Sequence, residues 1–380
     1  MTNPASGSSG TNSSGDNAPL RAILVGVGAM GRGWLRNLQA ADDVELVGVA
    51  DLDVTAAKTA LDEAGLSGVP VAGTLEELVD ETAADFVVDV TIPEAHHAVT
   101  MQALRRGLPV LGEKPLAATL SEALDLVAAA QVYDRLFMVS QSRRYNPQLF
   151  AFRRMIRQLG GLGILVAEFF KAPHFGGFRD AMDHPLVLDM AIHTFDSVRF
   201  LTGAEPVAVY CDEYNPAWSW YAGDAATTAI FEMNDGSRFV YTGSWCSEGL
   251  ETSWNSAWRA SGEHGTTLWD GDGPPTLEIV EGRATAPVSD TGEVDPLDGI
   301  AGSLRDFVQA LRSGRPPMGE ARDNLMSLAM VHAAIASAGS RQRVLVADVL
   351  AQAHAEALAR VDDAAVGDVL RSWTTLTPPS

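Results

Sequence analysis

Cysteine is nearly absent from this chain: Cys211 and Cys246 are the only two. That scarcity excludes a disulfide framework and a multi-cysteine metal cluster, and it fits a reducing compartment, the cytoplasm. Basic residues are also scarce, with 27 Lys and Arg against 49 Asp and Glu and a formal charge of -22. A nucleic-acid backbone or an anionic membrane surface needs basic patches, so neither is expected as a partner. No uncharged apolar run reaches the roughly 18 residues of a membrane span. Residues 1–19 lack the apolar centre of a signal peptide, and their Gly, Ser, Asn and Thr predict a disordered leader.

What is present is ample apolar sequence, 46% of 380 residues, enough for two or three domains. Arg21–Val27 predicts a strand, Met30–Ala40 a helix and Val44–Ala50 a second strand, followed by a helix over 55–64. Phe86–Thr91, Leu108–Leu111 and Leu136–Gln141 predict further buried strands. Apolar strands separated by helices imply a parallel sheet covered on both faces, one domain over residues 20–142. The grammar then changes. Gly163–Lys171, Val207–Asp212, Ala225–Met233, Arg238–Trp245 and Trp254–Ser261 predict strands joined by short turns such as Asn234-Asp235-Gly236. Such hairpins imply an open, mostly antiparallel sheet in an α+β domain over residues 143–345. A long helix is expected at Leu186–Leu201, and others at Ile300–Arg312 and Glu320–Ser337. Residues 346–380 are Ala-rich and predict a C-terminal helical extension.

Gly26-Val27-Gly28-Ala29-Met30-Gly31 places G-x-G-x-x-G between a predicted strand and helix. The first glycine allows the tight turn, the second lets backbone approach a pyrophosphate, and the third lets helix pack on strand. The helix N-terminus then offers free N–H groups to phosphate. Asp51 ends the second strand, 25 residues after Gly26, where a carboxylate can bind both adenosine ribose hydroxyls and repel a 2′-phosphate. The pattern predicts a Rossmann domain, with Gly26, Gly28, Ala29, Met30, Gly31 and Asp51 binding a dinucleotide. The bland alternative is a glycine-rich turn that binds nothing, with Asp51 capping a helix.

Two further segments carry chemistry. Glu113-Lys114-Pro115 follows a strand, which puts Lys114 where doubly wound sheets bind ligands. Asp189 and His193 are four residues apart on the predicted helix, one turn apart on one face, where a carboxylate can fix an imidazole's tautomer. Asp196 is a second candidate to orient that ring. Each reading competes with a plain one, a turn lysine and a local helix pair. Arg143 and Arg144 either hydrogen-bond a polyol or carboxylate substrate or brace the domain junction. Six of the eight tryptophans fall between Trp218 and Trp269, some to line a pocket and more of them core or interface. No His, Cys or Asp cluster shows metal-ligand spacing.

Taken in order, GVGAMG, ADLD, TIPEAHHAV, GEKPLA, SRRYNP and LDMAIHTFD resemble the glucose–fructose oxidoreductase, inositol dehydrogenase and MocA family over about residues 20–345. The resemblance implies an enzyme that binds NAD or NADP and moves hydride to or from a hydroxyl carbon of a sugar or cyclic polyol. It implies Lys114, Asp189 and His193 as catalytic residues, with a proline after the lysine that is commonly cis. It also implies Thr91, Pro93 and His97 beside the cofactor, Glu113 and Lys114 near the nicotinamide, and Asp196 on substrate hydroxyls. In the expected mechanism His193 takes the hydroxyl proton, Lys114 supports the developing charge on oxygen, and Asp189 orients His193. Asp51 favours NAD. An open sheet with an apolar outer face predicts a homodimer or homotetramer. The same fold carries NAD-dependent glycoside hydrolysis, which the sequence leaves open. It also carries sugar-sensing regulators, from which loss of the Lys or His would be expected, and both are present.

Overall fold

The computed structural model describes residues 18–283 and 298–376, so the expected leader lies, up to residue 17, outside the described residues. Six parallel strands form the first sheet: β1 (Leu20–Val25), β2 (Val44–Ala50), β3 (Val71–Ala72), β4 (Phe86–Asp89), β5 (Val110–Glu113) and β6 (Phe137–Ser140). Their spatial order is β3-β2-β1-β4-β5-β6. The order reverses between β1 and β4, and a crevice opens there beyond the carboxyl ends of the strands. Helices α1 (Ala29–Ala40), α2 (Val54–Glu63), α3 (Leu75–Thr82), α4 (Pro93–Arg105) and α5 (Leu120–Tyr133) cross between them. Strands β4, β5 and β6 are buried along their whole length, which is why they read as unbroken apolar runs.

The chain continues through α6 (Pro147–Ile156) into an eight-stranded sheet. Its strands are β7 (Leu162–Phe170), β8 (Pro206–Tyr214), β9 (Ala226–Met233), β10 (Arg238–Ser244), β11 (Ala257–Gly262), β12 (Gly265–Trp269), β13 (Thr276–Ile279) and β14 (Val344–Leu345). All neighbours pair antiparallel except β7 and β10. Helix α7 (Ile192–Thr202) lies across the inner face, with Phe195 packed on Phe231, Tyr241 and Phe239 at ring separations of 4.9, 5.4 and 6.1 Å. The single helix expected over 186–201 divides in two: Leu186–Ala191 is a π-helical turn and only then does α7 begin. Strands β3, β12, β13 and β14 escape the sequence reading because they are short or lack alternation.

The expected domain boundary is crossed twice. Helix α8 (Gly299–Ser313) returns to the first unit, with Phe307 against Phe86 at 5.3 Å and in one cluster with Trp34. After α9 (Ala321–Ser340), helices α10 (Val346–Arg360) and α11 (Ala364–Ser372) pack against α5. Tyr133 on α5 donates to Asp363 at 2.7 Å. Among the described residues no helix is long and apolar enough to cross a membrane.

A buried polar brace holds the junction. Arg144 forks onto Asp196 through Nε at 2.6 Å and Nη2 at 2.7 Å, and reaches Asp323 at 3.1 Å. Ser327 donates to Asp196 at 2.7 Å, and Arg199 joins Asp323 at 2.8 Å and Glu205 at 2.6 Å. Of its two readings Arg144 thus takes the bracing one, and Asp196 hydrogen-bonds Arg144 and Ser327 with no bond to His193. A guanidinium left buried without its carboxylate is costly. Asp196→Ala should therefore lower the stability measured by urea unfolding by about 3–5 kcal/mol. A normal unfolding midpoint together with a raised KM would restore the substrate-contact role.

Candidate active site

The glycine turn is built as its spacing predicts. Gly26 has φ 92°, and a Cβ there would sit 2.6 Å from the Val90 carbonyl oxygen, in the loop after β4. A Cβ on Gly31 would collide with the Gly26 carbonyl. Gly28 meets nothing within 4 Å, and Gly28, Ala29 and Met30 are exposed at the mouth of the crevice. Helix α1 has no side-chain cap and no acidic residue in its first turn, so its leading N–H groups are available to an anion. Asp51 accepts from Val27 N at 2.8 Å and Asp53 N at 2.9 Å, fixing its carboxylate beside the turn. An open cradle of backbone donors flanked by a carboxylate fits a dinucleotide.

Across the crevice, Thr91 donates to Asp89 at 2.6 Å and Pro93 opens α4. His97 turns its Nε2 toward α5, where Asp125 lies at 2.6 Å, a helix–helix contact. The neighbouring His96, given no role from sequence, spans the carbonyls of Thr91 and Pro115 at 3.1 and 2.7 Å. It ties the loop after β4 to the loop that carries Lys114. The Lys114–Pro115 peptide is cis, as the resemblance implies. Glu113 is buried and accepts from Trp34 Nε1 at 2.7 Å and from Lys114 N at 3.1 Å. Burial pushes its carboxyl up despite those donors.

Lys114 Nζ reaches the second domain, donating to Asp189 Oδ1 at 2.7 Å and to the Asp189 carbonyl at 2.8 Å. The other carboxylate oxygen, Oδ2, accepts from Arg179 Nε at 2.6 Å. Burial alone would raise the Asp189 carboxyl, but the Lys114 ammonium and the Arg179 guanidinium outweigh it and hold it below the usual range. Asp189 thus serves Lys114. The expectation that it orients His193 is corrected: two cations compete for its oxygens, and no bond to the imidazole forms. Arg179 was missed by sequence reasoning. Its signal is faint, a lone arginine in the segment Phe175-Gly176-Gly177-Phe178-Arg179.

His193 sits one turn further along, buried, with Nδ1 lacking any partner among the described residues. Burial first, then the charges of Arg143 and Lys114, hold its pKa well below 6.5, so the ring is neutral at neutral pH. Arg143 is itself desolvated, which lowers its pKa to about 10, and it donates a hydrogen bond to Met190 Sδ at 3.5 Å. Arg143 and His193 line a small hollow with Thr194, Ser197, Asn255, Trp258 and Trp269. Two of the six clustered tryptophans therefore line the same hollow as the imidazole. Among the described residues no group of three or more His, Cys, Asp or Glu is gathered to hold a metal.

Residues 20–141 match a family model described as an oxidoreductase family with an NAD-binding Rossmann fold, and residues 171–268 match the GFO/IDH/MocA C-terminal domain. The chain is 29% identical to the rhizopine catabolism protein MocA of Rhizobium meliloti, over 83% of this chain and 94% of that protein. It is 27% identical to D-apiose dehydrogenase of Paraburkholderia graminis, over 88% and 92% of the two chains. The fold matches an oxidoreductase from Agrobacterium radiobacter solved with NAD+, L-tartaric acid and magnesium, with a TM-score of 0.75 and 20% identity over 87% and 99%. With both of its domains matched in order, the chain belongs to the glucose–fructose oxidoreductase, inositol dehydrogenase and MocA family of NAD-binding oxidoreductases.

Proposed function

We propose that this enzyme oxidises a hydroxyl-bearing carbon of a sugar or cyclic polyol, with NAD as the hydride acceptor. The observation that carries this reading is the Lys114–Asp189 contact, which joins the two domains beside the dinucleotide cradle and an uncharged histidine. The names of relatives that act on apiose and inositol agree with it.

When bound, the nicotinamide supplies the hydride sink. The chain's own residues handle the proton. An ammonium has three donors, and Lys114 spends two of them on Asp189. The third is left to hydrogen-bond the substrate oxygen as charge develops there. Asp189, with Arg179 behind it, positions that ammonium. His193, kept neutral, is in the right protonation state to accept the hydroxyl proton.

His193→Ala should lower kcat about 10²–10⁴-fold while NAD binding, measured by fluorescence titration, is retained. In the oxidative direction the rate should hold as pH falls through 6.5 and decline only well below it, because a depressed pKa keeps the imidazole neutral past that point. The variant should lose this acid limb. A limb centred at the usual histidine pKa that survives in the variant would assign the proton to another group.

Lys114→Ala and Asp189→Asn should each cost kcat to a similar degree, and combining them should cost little more, since they act as a unit. Fully additive losses in single-turnover rates would separate their roles. Stoichiometric NADH from a panel of sugars and polyols supports net oxidation; turnover of a glycoside without NADH supports hydrolysis. Asp51 should make NAD bind more tightly than NADP, and the reverse order in titration would overturn its assignment.

The same reading includes self-association through the outer face of the second sheet. Tyr210, Ile230, Val240, Val166, Arg259 and Leu268 stand opposite one another across six strands. Phe231, Phe239, Tyr241 and Trp258 point inward and are buried, leaving Tyr210, Arg259 and the aliphatic residues of that row outside. Ile230 is 43% exposed and Leu268 44%. Sedimentation at micromolar concentration should give a dimer or tetramer, and Ile230→Asp should shift it toward monomer with unchanged circular dichroism. A wild-type monomer would sink the interface.

A further inference from the structure

Between β7 and the π-turn, the chain forms an arm whose two glycines, Gly176 and Gly177, have φ of 69° and 70°. Phe175 and Phe178 flank those glycines and are 53% and 55% exposed. The Arg179 guanidinium lies over both rings, 5.3 Å from the Phe175 centroid and 4.7 Å from that of Phe178. The same Arg179 grips Asp189, the partner of Lys114. Behind the arm, Phe175 packs on Trp245 and Trp254 at 6.0 and 6.3 Å, and Trp254 is 43% exposed. An apolar, aromatic ledge thus begins one side chain away from the Lys114–Asp189 pair.

Three features argue for a ligand there. Exposed large aromatics clustered in one place are unusual unless something covers them. The ledge is continuous with the candidate site through Arg179, which touches both Asp189 and the two phenyl rings. Its charges are already matched, Arg179 by Asp189 and Lys171 by Glu251 at 2.9 Å. Each ring has a cation over one face, Lys171 lying 4.8 Å from the Trp254 centroid, so it is the exposed remainder of the rings that can make new contacts. A bare monosaccharide would leave the ledge wet.

We infer that Phe175, Phe178 and Trp254 form a subsite for a second ring, joined by a glycosidic bond to the sugar at Lys114. The substrate class is then a glycoside whose aglycone is a flat or apolar-faced ring. The inference rests on the oxidoreductase reading for the sugar end, while the ledge itself is tested by binding.

The test uses matched methyl and phenyl β-D-glucosides, galactosides and xylosides with NAD-loaded protein. Binding is read from the quenching of tryptophan fluorescence, for which Trp245 and Trp254 are built-in reporters, and oxidation from NADH in the same mixtures. At least one phenyl glycoside should bind roughly tenfold more tightly than its methyl partner, as expected for one or two ring-stacking contacts. Phe175→Ala and Phe178→Ala should bring that ratio toward one. Equal affinities, no saturable binding by either series, or a ratio unchanged in both variants would overturn the subsite. So would a loss of self-association in Phe175→Ala without a phenyl preference, which would give the ledge to a second copy of the chain. Preferential phenyl binding without NADH would leave the subsite standing and remove the redox reading. NADH without phenyl preference would do the opposite.

Discussion

One ion pair sets the electrostatics of this site. Lys114 comes from the parallel sheet and Asp189 from the helix over the antiparallel one, and their side chains are only 12% and 14% exposed. A charge pair so far from water needs every donor and acceptor placed. The Asp189 carboxylate meets that need by turning its second oxygen to Arg179, which leaves two cations around one anion. Burial first, then the charges of Arg143 and Lys114, keeps His193 neutral, so Lys114 is the charge that bears on both the ionised Asp189 and the neutral His193.

That arrangement depends on α7, which the brace of Arg144, Asp196, Asp323 and Arg199 ties down. Residues close together on the helix divide the labour. Asp189 and His193 face the chemistry, whereas Asp196 and Arg199 anchor the helix to α9 and to the junction. The π-helical turn carries Asp189 and ends just before His193, and irregular helix is frequent at functional sites.

The sequence reveals best what backbone sterics demand. The glycine turn and its neighbours were legible because Gly26 and Gly31 leave no room for a Cβ, while at Gly28 the space stays open for a ligand. The buried parallel strands and the principal antiparallel strands were equally legible, since burial on two faces and on one face write different patterns. Partner choice was not. Asp189 and His193 have the right spacing to pair, yet spacing cannot report that Lys114 and Arg179, distant in sequence, capture the carboxylate first. For the same reason Arg144 and Asp196 looked available to substrate when they satisfy each other. His96 and His97 differ by one position, and only the tertiary contacts to Pro115 and Asp125 assign each its place.

The return of α8 to the first sheet has a consequence for how the molecule is made. Phe86 and Trp34 emerge early from the ribosome, but Phe307, which covers them, belongs to the last quarter of the chain. The outer side of α5 waits longer still, for α10 and α11. The N-terminal half therefore cannot finish its core as translation proceeds, unlike a chain whose domains fold one after another. Until those later segments are made, the apolar surface that they bury lies uncovered.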